Sequence, residues 1–173
     1  MKKLVSTIII TLIYLTSYSQ QGDKMNGATL AQQQKNFAES KGFEQYLYGT
    51  SIKKYKGFKL IPTQAVFQQY GSHASFKYND ILIDSVQLFF YKDKLYTIEL
   101  FINKFEREKM TIILEKLYGP NSSLLGDAQD YIWRGNTRKL SIYPVGKKNY
   151  AVHFESLENI NERMNATLDE LMK

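Results

Sequence analysis

Between Ile83 and Ile102 apolar and polar positions alternate with a period of two. Val86, Leu88 and Phe90 are interleaved with Ser85, Gln87 and Phe89. After Lys92-Asp93-Lys94, the residues Tyr96, Ile98, Leu100 and Ile102 are interleaved with Leu95, Thr97, Glu99 and Phe101. Successive side chains of a strand point to opposite faces, so this pattern on both sides of a short polar turn predicts an antiparallel hairpin with one buried face. The period then changes. Met110, Ile113, Leu114 and Leu117 fall at i, i+3, i+4 and i+7, which predicts a helix over 104–118, stopped by Gly119-Pro120.

Shorter patterns fill in the rest. Phe43, Tyr46 and Tyr48 suggest a first strand, and Thr50 or Ser51 caps a helical turn through Ile52–Tyr55 that Gly57 closes. Short strands are expected at Ala65–Tyr70 and Ala74–Tyr78, and a hairpin at Gln129–Arg134 and Lys139–Val145 across Gly135-Asn136. A last strand, Tyr150–Glu155, places Tyr150, Val152 and Phe154 on one face and Ala151, His153 and Glu155 on the other. Leu157, Ile160, Met164, Leu168 and Leu171 then mark an amphipathic helix capped by Ser156. Strands arriving in runs, not in strict alternation with helices, predict an α+β domain over 42–173. Its expected architecture is an antiparallel sheet with a central hairpin, helices packed on one face and a C-terminal amphipathic helix.

The N-terminus carries a different pattern. Lys2 and Lys3 precede a 12-residue mostly apolar stretch, Leu4 to Leu15, and Ser17 and Ser19 supply small residues before Gln20. This is the layout of a signal peptide over 1–19 cleaved between Ser19 and Gln20, and it predicts an exported protein, periplasmic or secreted. Residues 20–41 read as a flexible leader with room for a short helix. No other stretch is apolar enough for a bilayer span, so no stable membrane span is expected after cleavage.

Composition narrows the chemistry. The chain has 173 residues, 43% hydrophobic and 14% aromatic, enough for one core and too aromatic for a disordered chain. With no Cys it has no disulfide, thiolate metal site, Cys nucleophile or Cys-linked lipid anchor. Lys and Arg number 23 against 17 Asp and Glu, and the excess is local. Lysines 24, 35, 41, 53, 54, 56 and 59 face only Asp23, Glu39 and Glu44 between residues 20 and 59. A basic footprint so confined argues against a nucleic-acid partner.

Two surface features stand out as candidate binding sites. Lys53, Lys54, Lys56 and Lys59 interleave with Tyr55 and Phe58, a pattern suited to an acidic partner, an anionic lipid head group or a nucleic-acid strand, or else to a solvated helix face whose aromatics point into the core. Phe89, Tyr91 and Phe101 lie on the nominally polar side of the central hairpin, where they form an exposed patch or are covered by the C-terminal helix. Only two histidines are present, His73 and His153, and no metal-ligand spacing or clustered glycine phosphate cradle occurs. No cofactor is therefore expected.

Tyr48-Gly49-Thr50-Ser51, Phe90-Tyr91-Lys92-Asp93-Lys94-Leu95, Leu114-Glu115-Lys116-Leu117-Tyr118-Gly119-Pro120 and Trp133 resemble small exported bacterial α+β domains of unknown function over residues 43–154. The resemblance implies a fold and an address and carries over no catalytic residue. The expectation is a non-enzymatic binding module of the cell envelope, partnered by a protein or envelope component. Two alternatives stand beside it. One is a small periplasmic hydrolase working through carboxylates, which a concave pocket joining His73 or His153 to two carboxylates would favour. The other is a structural subunit that dimerises through the C-terminal helix.

Overall fold

The two alternating segments become the centre of an antiparallel sheet. The computed structural model describes residues 30–62, 67–121 and 131–172; the expected signal segment 1–19, with its cleavage point at Ser19 and Gln20, lies outside them. Strands β6 (Ile81–Tyr91) and β7 (Lys94–Asn103) pair across Lys92 and Asp93, whose φ angles of 48° and 60° give the left-handed turn that matches strand twist. Around them lie β3 (Lys59–Ile61), β4 (Gln68–Ser72), β8 (Tyr131–Arg134), β9 (Arg138–Val145) and β10 (Asn149–Ser156), in the order β3-β4-β6-β7-β10-β9-β8. The short β5 (Phe76–Tyr78) pairs with the start of β6. A two-stranded hairpin, β1 (Gly42–Phe43) and β2 (Tyr46–Leu47), stands apart where one first strand was expected. Its turn needs Glu44 at a φ of 51°, and this breaks the run.

One face of the sheet is a dry core. Ile81, Ile83, Val86, Leu88, Phe90, Leu95, Ile98, Leu100, Ile102, Leu140, Ile142, Val152 and Phe154 are buried there. Helix α1 (residues 30–38) supplies Phe37 and helix α2 (Arg107–Tyr118) supplies Met110 and Leu114 to that core. The side chain of Gln33 donates to the carbonyls of Glu115 (3.3 Å) and Lys116 (2.9 Å), so α1 satisfies groups that the end of α2 leaves open. Trp133 Nε1 donates to the Gly119 carbonyl at 2.7 Å and closes the same helix end from β8.

Two β-bulges decide which residues reach the core. Between Ile83 and Ser85 the extra residue is Asp84 on β6, and opposite Phe89 and Phe90 it is Tyr96 on β7. Strict alternation places Tyr96 with Ile98 and Leu100, but the bulge puts Leu95 into the core beside Phe90 and leaves Tyr96 half-buried. A bulge re-aims a side chain in this way.

The C-terminal amphipathic helix α3 spans Ile160–Leu171. It starts later than the expected Ser156 cap, because Ser156 is the buried last residue of β10 and its hydroxyl accepts from Arg138 (3.1 Å). No helix among the described residues is long and apolar enough to cross a membrane.

Candidate functional site

Strand register assembles a polar row on the face opposite the core. Ser141, His153, Glu99 and Gln87 stand abreast on β9, β10, β7 and β6. His153 Nδ1 lies 3.0 Å from Glu99 Oε1, the same oxygen that accepts from the Tyr143 hydroxyl. Along β10, His153 Nε2 lies 3.9 Å from Glu155 Oε2. The other Glu155 oxygen accepts from Arg163 Nη2 of α3 at 3.3 Å. Gln69 donates to Gln87 at 2.7 Å and extends the row toward β4.

The electrostatics follow from this arrangement. Burial alone pushes both carboxyls up, but His153 and Tyr143 outweigh it at Glu99, and His153, Arg163 and Lys139 outweigh it at Glu155, so both sit below the ordinary carboxylate value. Burial likewise opposes a charged imidazole, yet the two glutamates prevail and raise His153 above its ordinary value. The two carboxylates also address different ring nitrogens. Among the described residues, no group of three or more His, Asp or Glu is placed to hold a metal ion.

Arg163 links this row to a cavity. Its guanidinium carbon lies 4.1 Å above the Tyr96 ring, the residue re-aimed by the bulge, and its Nη2 also donates to the Ser156 carbonyl at 2.9 Å. Burial pushes the Tyr96 hydroxyl up to about 12. Between this stack and α3 lies a cavity of about 380 Å³ lined by Phe67, Tyr96, Ile160, Met164 and Leu168, with Glu155, Arg163 and Thr167 as its polar members. Phe67 packs on Tyr91 and Tyr96 at ring distances of 6.0 and 5.5 Å. Met164 and Leu168 are 56% and 53% exposed, so the apolar stripe of α3 is only partly used by its own sheet.

The residues singled out from the sequence fall in separate places. Lys53, Lys54, Lys56 and Lys59 are exposed, around a 3₁₀ turn at Ile52–Lys54 that Ser51 caps. Tyr55 points inward, with its ring near Tyr46, Phe58 and Phe90 and its hydroxyl bonded to the Leu47 amide at 2.9 Å. Phe89 and Phe101 are half-buried on the opposite face, flanking the row of Gln87 and Glu99, and Tyr91 borders Phe67. The lysine segment and the aromatic trio therefore do not form one site. His73 is exposed.

Arg163, Tyr96, Glu99 and Glu155 were not singled out. The available signals were Glu99, a lone acid inside the apolar run of β7, and Arg163, a lone cation in an acidic helix. No protein-family model, curated protein or solved structure matches the chain.

Proposed function

We propose that the protein is an exported, non-enzymatic binding module of the cell envelope, and that the cavity beside α3 is where it takes its ligand. The observation that carries this reading is the pairing of an apolar cavity with an amphipathic helix whose Met164 and Leu168 stay more than half exposed beside it. Concave, mostly apolar sites with a few polar groups are where proteins hold ligands.

A second reading, the small hydrolase, draws on His153 standing between Glu99 and Glu155. Its expected pocket is only half met, because Glu155 lines the cavity while His153 and Glu99 do not. Both ring nitrogens face carboxylates, which suits an ion-pair network better than proton transfer to a substrate.

The test compares the purified protein with a Met164→Asp/Leu168→Asp variant, each immobilised and exposed to envelope extract. The wild type is expected to retain a defined component that the variant loses, with circular dichroism unchanged. Both are expected to be inert toward ester, phosphoester and glycoside substrates. Turnover abolished by His153→Ala or Glu99→Gln overturns the binding reading in favour of the hydrolase.

A further inference from the structure

We propose that the end of the sheet where β7 leads into α2 and β9 turns into β10 docks on an anionic lipid bilayer, with Phe105 entering the headgroup layer and Lys104, Lys147 and Lys148 on the lipid phosphates. The inference goes beyond the cavity beside α3, which lies at the other end of β10.

The starting point is an aromatic out of place. Phe105 is 77% exposed, while every other phenylalanine of the chain is buried or half-buried. It sits in a 3₁₀ turn, Lys104–Glu106, that is fixed on both sides. The Asn103 side chain accepts from the Phe105 amide at 3.2 Å, and the Lys104 amide donates to the Lys148 carbonyl at 2.8 Å. The next residue, Arg107, lies over the Tyr131 and Tyr150 rings at 4.5 and 4.9 Å. The bond to Lys148 also brings the β9–β10 turn alongside, where Pro144, Val145, Lys147 and Lys148 are exposed. Lys104 Nζ lies 5.0 Å from the centre of the Phe105 ring, so cation and apolar surface are presented together.

Charge at this end favours an anionic surface. The acids nearby are Glu106, Glu108 and, from the turn between β5 and β6, Asp80. Glu106 is paired with Lys109 at 3.2 Å. Lys104, Lys147 and Lys148 make no ion pair among the described residues, and with Arg107 they leave the cations in excess. Size then separates a bilayer from a protein partner. A stable protein interface buries about 800 Å² on each side and needs a matching shape. Phe105, Pro144 and Val145 on a projecting turn are too few for that. A fluid headgroup layer accepts a single inserted ring without a preformed pocket, while flanking lysines keep their ammonium groups among the phosphates.

The experiment is co-sedimentation of the purified chain from Gln20 onward, the form that export is expected to leave, with vesicles at physiological salt. Vesicles of equal parts phosphatidylglycerol and phosphatidylcholine are expected to bind it, and pure phosphatidylcholine vesicles are not. Each basic residue at such a surface is worth roughly fivefold, so joint replacement of Lys104, Lys147 and Lys148 by Gln should weaken binding about a hundredfold. Phe105→Ser is expected to weaken it roughly tenfold. Both variants should melt with the wild type, because all four side chains are exposed. Joint replacement of Lys53, Lys54 and Lys56 by Gln makes the same charge change elsewhere and is expected to leave binding within about twofold. An equal loss in that control shows attraction by net charge alone and overturns the assignment. So does full binding by Phe105→Ser, or equal binding to pure phosphatidylcholine. Tighter binding to polyglutamate than to the vesicles, lost with the three lysines, gives this end to an acidic polypeptide and overturns it too. The Met164→Asp/Leu168→Asp variant is expected to keep vesicle binding, so failure here and failure of the binding-module reading are told apart.

Discussion

At position 138 a nearly buried guanidinium donates to the Ser40 carbonyl (2.7 Å), the Thr137 carbonyl (2.8 Å), the Ser156 hydroxyl (3.1 Å) and Glu158 (3.0 Å), and lies over the Tyr48 ring. One side chain thereby ties the segment after α1 to β9 and to the end of β10. Arg138→Ala leaves several of these acceptors without a donor and is expected to cost about 2–4 kcal/mol in urea denaturation, more than most single substitutions. His153 makes a different kind of claim, one that depends on pH. Its pKa is raised in the folded state, so its contribution is complete below the ordinary imidazole value and is lost as pH rises through the folded one. Glu99 and Glu155 are lowered, so their contribution is present above the ordinary carboxylate value and fades as pH falls through their folded ones. The network is therefore strongest between roughly pH 4.5 and 6.5, the ordinary glutamate and histidine values. Thermal unfolding of wild type and His153→Gln from pH 5 to 9 is expected to show the largest difference near pH 5–6 and a shrinking one above. A gap that stays constant across the range contradicts this account.

Among the elements, the end of α2 shows how sequence-distant groups share a task. Gln33 from α1 and Trp133 from β8 both donate to carbonyls at that end. Trp133→Phe leaves the buried Gly119 carbonyl unpaired and is expected to cost about 1–3 kcal/mol; the more exposed Gln33→Ala should cost about 0.5–1.5 kcal/mol, each read from denaturant midpoints. The central hairpin was legible because a period of two survives translation into structure almost intact. Its bulges were not, because Asp84 and Tyr96 look like any other strand residues until both strands are paired. For the same reason the sequence pattern assigned Tyr96 to the core and missed its role beside Arg163. Ser156 looked like a helix cap by residue type, and only Arg138, 18 positions earlier, explains why it ends a strand instead. The stripe of α3 was visible, but not what it borders. The polar row was the least legible part: Glu99 and His153 are 54 residues apart and meet only through the register of β7 and β10.

Over the whole molecule, the two sides of the sheet differ in kind. One is closed by α1, α2 and the β1–β2 hairpin, while the other carries the polar row, with α3 attached near one end through Glu155 and Tyr96. The acidic C-terminal segment pairs with Lys92 and Arg138, through Glu162 and Glu158; among the described residues no ion pair joins it to the lysines at 53, 54, 56 and 59. Truncation after Ser156 removes α3 and its contacts but no strand, so strand content by circular dichroism is expected to persist with a lower melting temperature. Light scattering should return a single-chain mass with and without the segment. A mass that halves on truncation shows instead that α3 is a dimer contact. The position of Trp133, the chain's single tryptophan, has a practical corollary. Its indole is sealed on the side away from α3, so its emission is an optical gauge of the dry interior and is blind to whatever enters beside the last helix. A titrant that releases heat without changing that colour has left undisturbed both the core and the surface pocket that Trp133 lines with Phe37, Tyr118 and Pro120.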